Sequence, residues 1–423
     1  MKTEPIWVRP HLYFGVGLPP RKPSSIGFIT RLGDHSMSKR SLSGLGVVAL
    51  SLAVVMPSMA PAQAATEIKI GVITSTSGPL ASFGAAYVDG LNWGLKYYTR
   101  GKMAVNGAKL VVTTKDDAAN PATATATFKD MVGNGTKIIV GTVSSGVALT
   151  LAPLAAQNKV LYISGPAKFD GITSEANKYV FRSGNSSTQD LAPLAGVKPI
   201  RGKKVVLFVE DNAFGAGNIA AAKALMGPKG ATFEEIKVPT STSDFTPFAK
   251  KAADANGSYI FIAWSNALTA GAMLTSLKVQ GAFVKQRPIT GLAGAATYNI
   301  YGSLFEGTNA ILTNSYFGGV SKTSSGQDLA ASFAAEKKVQ DLFTSTGADA
   351  AKMIVAALTG NTDQDVERMI QKLENLTWVG VKGLMRVNPV THLLIQPMFL
   401  VGLQKTGAGY MPVLLKTISG VGA

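Results

Sequence analysis

Short apolar runs rich in valine and isoleucine alternate along the chain with alanine-rich stretches whose apolar residues recur every three or four positions. The apolar runs predict buried strands, and the three-to-four spacing predicts amphipathic helices. Strands are predicted at 68–73, 110–113, 137–140 and 160–163, separated by helices at 82–98, 121–132 and 147–158. Such alternation builds a parallel sheet with helices on both faces.

The same rhythm restarts after residue 203. Strands are predicted at 204–209, 232–238, 259–263 and 288–291, with helices at 218–226, 245–255 and 269–280. Beyond 311 the pattern predicts a strand, helices at 349–358 and 363–376, and closing strands near 384–387 and 396–403. This tail is too short for a third lobe and is expected to complete both sheets. The predicted fold class is therefore α/β, with two doubly wound, parallel-sheet lobes.

The N-terminal segment predicts export. Residues 37–64 contain the basic pair Lys39-Arg40, an apolar run at 42–56 and the small-residue ending Ala62-Gln63-Ala64, the three parts of a signal peptide. Cleavage is expected after Ala64, with Ala65 as the alternative. Residues 1–36 lack periodicity and are interpreted as an over-extended gene start. Since no cysteine follows the cleavage site and no later run reaches membrane-spanning length, we expect a protein that is free in the periplasm.

The amino-acid composition limits the kinds of catalytic and metal-binding site that the chain can form. The 423 residues include no cysteine and only three histidines, which excludes a disulfide scaffold and a thiol nucleophile, and argues against Ser-His-Asp catalysis or a metal site built on several imidazoles. No cofactor is expected. The net charge of +16 is spread thinly and forms no basic stripe interleaved with aromatic residues, so a nucleic-acid partner is not expected either.

Ligands of open parallel sheets bind beyond the carboxyl ends of the strands, so the loops after the predicted strands are the candidate site. Ser144 and Ser145 precede a predicted helix, where free backbone N–H groups and two hydroxyls suit a carboxylate; the alternative is that they only cap the helix. The candidate apolar walls are Phe83, Phe214 and Trp264, unless these rings belong to the core. Lys168 could neutralise a ligand anion, or it could be a solvated surface lysine.

Three other sequence features each allow both a functional and a structural interpretation. Gly215-Ala216-Gly217-Asn218-Ile219-Ala220 follows a strand, which leaves a nicotinamide-dependent dehydrogenase as an alternative; close helix packing is the other interpretation of these glycines. For Asp116-Asp117 a turn and cap role is favoured over paired-carboxylate catalysis. His392 has no acidic neighbour in the sequence and is assigned a structural role.

The order and spacing of several short motifs resemble the leucine/isoleucine/valine-binding family of exported solute receptors, from about residue 68 to 403. The motifs are Ile68-Lys69-Ile70-Gly71-Val72-Ile73, Ser77-Gly78-Pro79, Phe83-Gly84, Lys115-Asp116-Asp117, Asn120-Pro121, the loop from Gly141 to Ser145, and Asp211-Asn212-Ala213-Phe214-Gly215-Ala216-Gly217. The resemblance implies a type I periplasmic binding fold whose two lobes are joined by three hinge strands, near 181–183, 313–316 and 381–386. The first lobe would comprise 65–182 and 316–382, and the second 183–315 and 383–423.

The resemblance also implies a function. It implies a monomeric receptor that captures a small molecule by hinge closure and delivers it to the permease and ATPase subunits of an ABC importer. A receptor of the same fold that signals to a membrane sensor is the alternative. The ligand positions of the family fall on Phe83, Ser145, Pro166, Lys168, Phe214 and either Trp264 or Asn266.

Two departures from the family bear on the ligand. Leu292-Ala293-Gly294 stands where the amino-acid receptors of the family carry an acidic residue that grips the ligand ammonium. Phe83 and Phe214 replace tyrosines of the family, and Lys168 adds positive charge. Burying an ammonium without a counter-charge is costly. An aromatic or other apolar carboxylate therefore fits these residues better than a plain branched-chain amino acid.

Overall fold

A computed structural model describes residues 66–173, 177–196 and 200–422, and the predicted leader at 1–64 lies outside these residues. The first sheet contains six strands of the described chain. They are β1 (Glu67–Thr74), β2 (Ala104–Val105), β3 (Ala108–Asp116), β4 (Ile138–Gly141), β5 (Leu161–Ser164) and β6 (Val180–Arg182). Their order is β2-β3-β1-β4-β5-β6, and every pairing except that of β2 with β3 is parallel.

The second sheet contains the remaining described strands. They are β7 (Lys204–Glu210), β8 (Thr232–Val238), β9 (Tyr259–Ala263), β10 (Arg287–Gly291), β11 (Ile311–Asn314), β12 (Thr377–Gly380), β13 (Gly383–Val387), β14 (Leu394–Thr406) and β15 (Gly409–Val421). The strands β7 to β11 pair in parallel in the order β11-β10-β9-β7-β8, whereas β12 to β15 join antiparallel. The sheets are thus dominated by parallel pairs without being wholly parallel.

Helices connect and cover these strands. They are α1 (Ala81–Tyr98), α2 (Pro121–Gly133), α3 (Ser145–Asn158), α4 (Ser187–Leu191), α5 (Ala213–Met226), α6 (Thr246–Asp254), α7 (Ala270–Val279), α8 (Ala282–Lys285), α9 (Tyr298–Phe305), α10 (Ser324–Ala335), α11 (Leu342–Leu358) and α12 (Val366–Glu374). Alternate side chains of β7 enter two separate cores, Phe208 on one face and Leu207 on the other. Because both faces are buried, a continuous apolar run is what the sequence must show there.

The predicted α/β class and its two lobes are confirmed. The chain passes to the second sheet after β6 and returns after β11, so that α11 and α12 pack on the first core through Met353 and Ile370. It crosses again through β13 and β14, where β14 pairs with β13 at one end and with β11 further along. These three crossings lie where the resemblance placed the hinges. The exact lobe boundaries remain a prediction; Met385 and Val387, assigned to the second lobe, pack with the first core.

Two helices begin five or more residues earlier than the sequence pattern predicts. The helix α5 starts at Ala213 instead of 218, because the Asn212 side chain caps it by accepting the Gly215 amide at 2.9 Å. The helix α11 starts at Leu342 instead of 349, because Asp341 accepts the amides of Phe343 and Thr344. Both cap residues are types that favour helix N-termini. As a result, the first turn of each helix lies at the cavity between the two sheets.

Candidate functional site

The carboxyl ends of the parallel strands in both sheets meet around a cavity of about 480 Å³, which is lined by residues of both lobes. This is the position at which open α/β sheets bind ligands. All eight residues singled out from the sequence line the cavity: Phe83, Ser144, Ser145, Pro166, Lys168, Phe214, Trp264 and Asn266. The structure therefore brings them together, and their contact with a ligand remains a prediction.

The N-terminus of α3 forms the polar wall in the first lobe. Ser144 is the N-cap, and its Oγ accepts the Val147 amide at 3.4 Å. The amides of Ser145 and Gly146 open the helix, and neither donates to an acceptor in the described part of the chain. The Ser145 hydroxyl accepts the amides of Lys168 and Phe169, both at 3.3 Å. The free donors are thus backbone amides at the positive end of a helix.

Aromatic rings form the apolar walls. The rings of Phe83 and Phe343 stack with their centroids 4.5 Å apart, and both line the cavity. Trp264 is largely buried against Phe245 and donates its Nε1–H to Thr269 Oγ1 at 3.1 Å. Trp264 thus packs into a core of the second lobe and also lines the cavity, and its contact with a ligand remains a prediction. Sequence analysis missed Phe343, since the predicted helix there began seven residues too late.

Two carboxylates in the cavity were not singled out from the sequence. Asp190 on α4 lies 2.5 Å from the Lys168 ammonium, so Lys168 is paired and not a solvated lysine. Glu210, the last residue of β7, is buried and accepts the Ser265 amide at 2.9 Å. The position of Glu210 at the end of a predicted strand could have indicated that it belongs to the site. Asp190 follows a predicted hinge, and nothing in the sequence pattern indicated that it reaches the site. Leu292 and Ala293 also line the cavity. This stretch therefore lacks the acidic residue that the resemblance places here in amino-acid receptors, as the sequence indicates.

Several contacts join the lobes around the cavity. The Ala267 amide donates to the Pro79 carbonyl at 3.4 Å, and the Ala295 amide donates to Asp341 Oδ2 at 2.9 Å. Burial raises the pKa of Asp341, and the hydrogen bonds from backbone amides oppose that rise.

The remaining motifs have structural roles. The glycine motif lies inside α5 and not in a turn before it: a Cβ on Gly215 would stand 1.9 Å from the Glu210 carbonyl oxygen. Asp117 accepts Ser75 Oγ and the Ala119 amide, which is the predicted turn role. His392 is buried, stacks on Phe181 and has Glu374 Oε1 3.3 Å from its Nε2, so its acidic neighbour comes from the fold.

The described residues contain neither a membrane-spanning helix nor a metal-binding cluster. None of the helices there has the length and apolarity to cross a membrane. Among the same residues, no three His, Cys, Asp or Glu side chains are grouped so that they could hold a metal ion.

The sequence family described as periplasmic binding protein matches residues 67–408. The chain belongs to this family. Leu/Ile/Val-binding protein homolog 3 of Brucella melitensis is 26% identical to this periplasmic binding protein over 302 residues, which are 70% of this chain and 80% of that protein. The protein is thus a periplasmic binding protein that is similar to the Leu/Ile/Val-binding proteins, and the predicted resemblance is confirmed.

Solved structures support the same assignment for this periplasmic binding protein. An ABC-type branched-chain amino acid transporter protein from Rhodopseudomonas palustris is 28% identical with a TM-score of 0.70, covering 84% of this chain and 97% of that one. A solute-binding protein of an ABC transporter from the same species, in complex with p-hydroxybenzoic acid, has a TM-score of 0.74 at 21% identity, covering 84% and 98%. The second likeness shows the fold alone.

Proposed function

We propose that this periplasmic binding protein captures a small carboxylate with an apolar body and delivers it to an ABC importer of the branched-chain amino acid type. The observation that carries the proposal is the composition of the cavity walls: uncommitted amides at the start of α3 line the same cavity as aromatic side chains of both lobes. Amides at a helix N-terminus favour a negative charge, and aromatic surface favours an apolar body.

In this proposal the carboxylate binds the amides of Ser145 and Gly146. The apolar body lies between Phe83, Phe214 and Trp264, so both lobes contact the ligand. A ligand that contacts both lobes stabilises the closed form relative to the open one, which is how binding drives hinge closure. Pro166, Lys168 and Asn266 also line this cavity.

The proposal has no chemical step: the ligand leaves as it arrived, and the protein requires no cofactor. We propose that the protein acts as a monomer in the periplasm after removal of the signal peptide at 37–64, and that its partners are permease and ATPase subunits in the inner membrane. The relatives named as Leu/Ile/Val-binding proteins and as a transporter component support this assignment. The similar fold that holds p-hydroxybenzoic acid supports the choice of an aromatic acid among the candidate ligands.

A thermal-shift screen of the purified chain from Ala65 onward tests the proposal. The panel contains amino acids, aromatic carboxylates, dicarboxylates, the matching amides, and NAD. We expect stabilisation by apolar monocarboxylates and little by their neutral amides, because only the acids supply a charge to the α3 amides. Stabilisation by NAD alone, or turnover of any panel member seen by mass spectrometry, would contradict the proposal.

A further inference from the structure

Three charged side chains line the cavity among the described residues: Lys168, Asp190 and Glu210. The oxygen atoms of Glu210 are already engaged. Oε2 accepts the amide and hydroxyl of Ser265 and the Asn212 amide group, and Oε1 accepts the Asn266 amide at 3.1 Å. These hydrogen bonds hold Glu210 in one orientation and stabilise its charge. Glu210 therefore organises the loop after β9.

Asp190 is engaged in the same way. Its Oδ2 lies 2.5 Å from the Lys168 ammonium, and its Oδ1 accepts Asn185 Nδ2 at 2.6 Å. Only 12% of the Lys168 side chain and 6% of the Asp190 side chain are exposed, so solvent screens this pair weakly. Asp190 would also contact a side chain placed at Gly291, which ends β10 in the second sheet. The Lys168 ammonium thus already pairs with the Asp190 carboxylate, where a ligand ammonium would otherwise bind.

We infer that Lys168 is a built-in counter-ion that replaces a ligand ammonium, so that the receptor selects carboxylates without an ammonium group and rejects zwitterionic amino acids. The inference rests on the proposed function and names its ligand class: benzoates, 2-oxo acids and related monocarboxylates. An amino acid of the same shape would bring its ammonium to a buried wall where Lys168 already neutralises Asp190, and the two like charges would repel each other. An ammonium has three N–H donors, so Lys168 can hold Asp190 and still donate to a ligand acid.

Matched ligand pairs test this directly. Phenylalanine and 3-phenyl-2-oxopropanoate share one apolar body and differ at the ammonium, as do leucine and 4-methyl-2-oxopentanoate. Isothermal titration calorimetry of the wild-type chain should show that each oxo acid binds at least about a hundredfold more tightly than its amino acid. Equal affinity within the pairs, or a preference for the amino acids, would overturn the inference.

Variants of the ion pair then separate specificity from stability. Lys168→Met should weaken the oxo acids about tenfold and strengthen the amino acids about tenfold, because the ligand ammonium can now pair with Asp190. Adding Asp190→Asn to Lys168→Met should abolish that gain. Asp190→Asn alone should strengthen the oxo acids, because it frees the Lys168 ammonium. A purely structural role would instead weaken all ligands in all three variants.

A matched pair far from the cavity provides the control. Lys250 and Asp254 on α6 form an exposed ion pair at 2.8 Å. Lys250→Met and its combination with Asp254→Asn should leave every affinity unchanged. If no ligand of the wider screen binds the wild-type chain, the proposed function fails and the inference fails with it. If oxo acids and amino acids bind equally, the proposed function stands and the inference alone is wrong.

Discussion

Gly217 on α5 lies against the ring of Phe169, and a Cβ atom on Gly217 would stand 2.8 Å from Phe169 Cδ2. Phe169 follows β5 in the first lobe, whereas α5 packs on the second sheet. The absence of a side chain at Gly217 is therefore what lets the two lobes approach beside the cavity. The glycine that suggested a dinucleotide motif serves lobe contact instead.

Gly217→Ala is expected to weaken ligand affinity while leaving each lobe folded. The added methyl must push Phe169 aside in the closed form, and overpacking of this kind costs about 1–3 kcal/mol. Calorimetry should show a loss of roughly tenfold, with helical circular dichroism unchanged. Gly271→Ala on α7 is the control, because its Cβ would meet nothing closer than 3.9 Å. Equal affinity of Gly217→Ala and wild type would show that this contact does not limit closure.

Ser145 allows the α3 amide to be tested apart from its side chain. Ser144 has the extended backbone that precedes proline well, with φ −75° and ψ 118°, and the first helical position tolerates proline. Ser145→Pro removes the amide and the hydroxyl, whereas Ser145→Ala removes the hydroxyl alone. We expect Ser145→Pro to bind an acid ligand roughly thirtyfold more weakly than Ser145→Ala, since a hydrogen bond to a charged group contributes about 2 kcal/mol. Calorimetry of both variants checks this; identical affinities would place the carboxylate elsewhere.

Arg182 holds the loop that carries Lys168. It is fully buried and donates from Nη1 to the Ala167 carbonyl at 2.6 Å and from Nη2 to the Phe169 carbonyl at 2.7 Å. Burial lowers the pKa of Arg182 to about 10, so it stays charged at neutral pH. Arg182→Met should lower the free energy of unfolding by about 3 kcal/mol, because two buried carbonyls lose their donors.

Urea unfolding measures the Arg182 effect. The control is Arg287→Met, since Arg287 also donates to a carbonyl, that of Asn309 at 2.6 Å, but at an exposed position. Its loss should cost less than about 1 kcal/mol. A small effect at Arg182 as well would mean that water replaces the lost donors.

Asp349 and Lys382 form a fully buried ion pair at 3.0 Å near the third crossing, and Lys382 also donates to Gln396 Oε1 at 2.6 Å. Burial raises the pKa of Asp349, and Lys382 opposes that rise. Asp349→Leu alone should destabilise the protein by about 3–5 kcal/mol, because it leaves a buried charge unpaired. Asp349→Leu together with Lys382→Met should recover most of that loss. A double variant as unstable as the single one, measured by urea unfolding, would contradict this account of the pair.

Much of the fold could be predicted from the sequence because its strands are buried on both faces. The predicted strand at 259–263 has the same bounds as β9, whose five residues are all buried. The predicted strand at 232–238 also matches β8, although this edge strand is only partly buried. The edge strand β15 was missed, because its largely exposed residues need not be apolar and show no regular alternation. The helix α10 was missed too: only one apolar face, with Leu329 and Phe333, is buried in an otherwise small and polar stretch.

A residue of the candidate site could be predicted from the sequence only where it follows a predicted strand. Ser145 and Phe214 follow strands, and strand ends are known from the pattern alone. The pairing of Lys168 with Asp190 depends on how α4 folds back onto the loop after β5, which no periodicity shows. The same holds for Phe343, which reaches the cavity only because α11 starts at its capped N-terminus.

Small-angle scattering of the wild-type chain, with and without a carboxylate that binds in the thermal-shift screen, tests the central claim most directly. Capture between two hinged lobes predicts that the radius of gyration falls on saturation with ligand and returns to its starting value on dialysis, with the ligand recovered intact. An unchanged radius at saturation would contradict it.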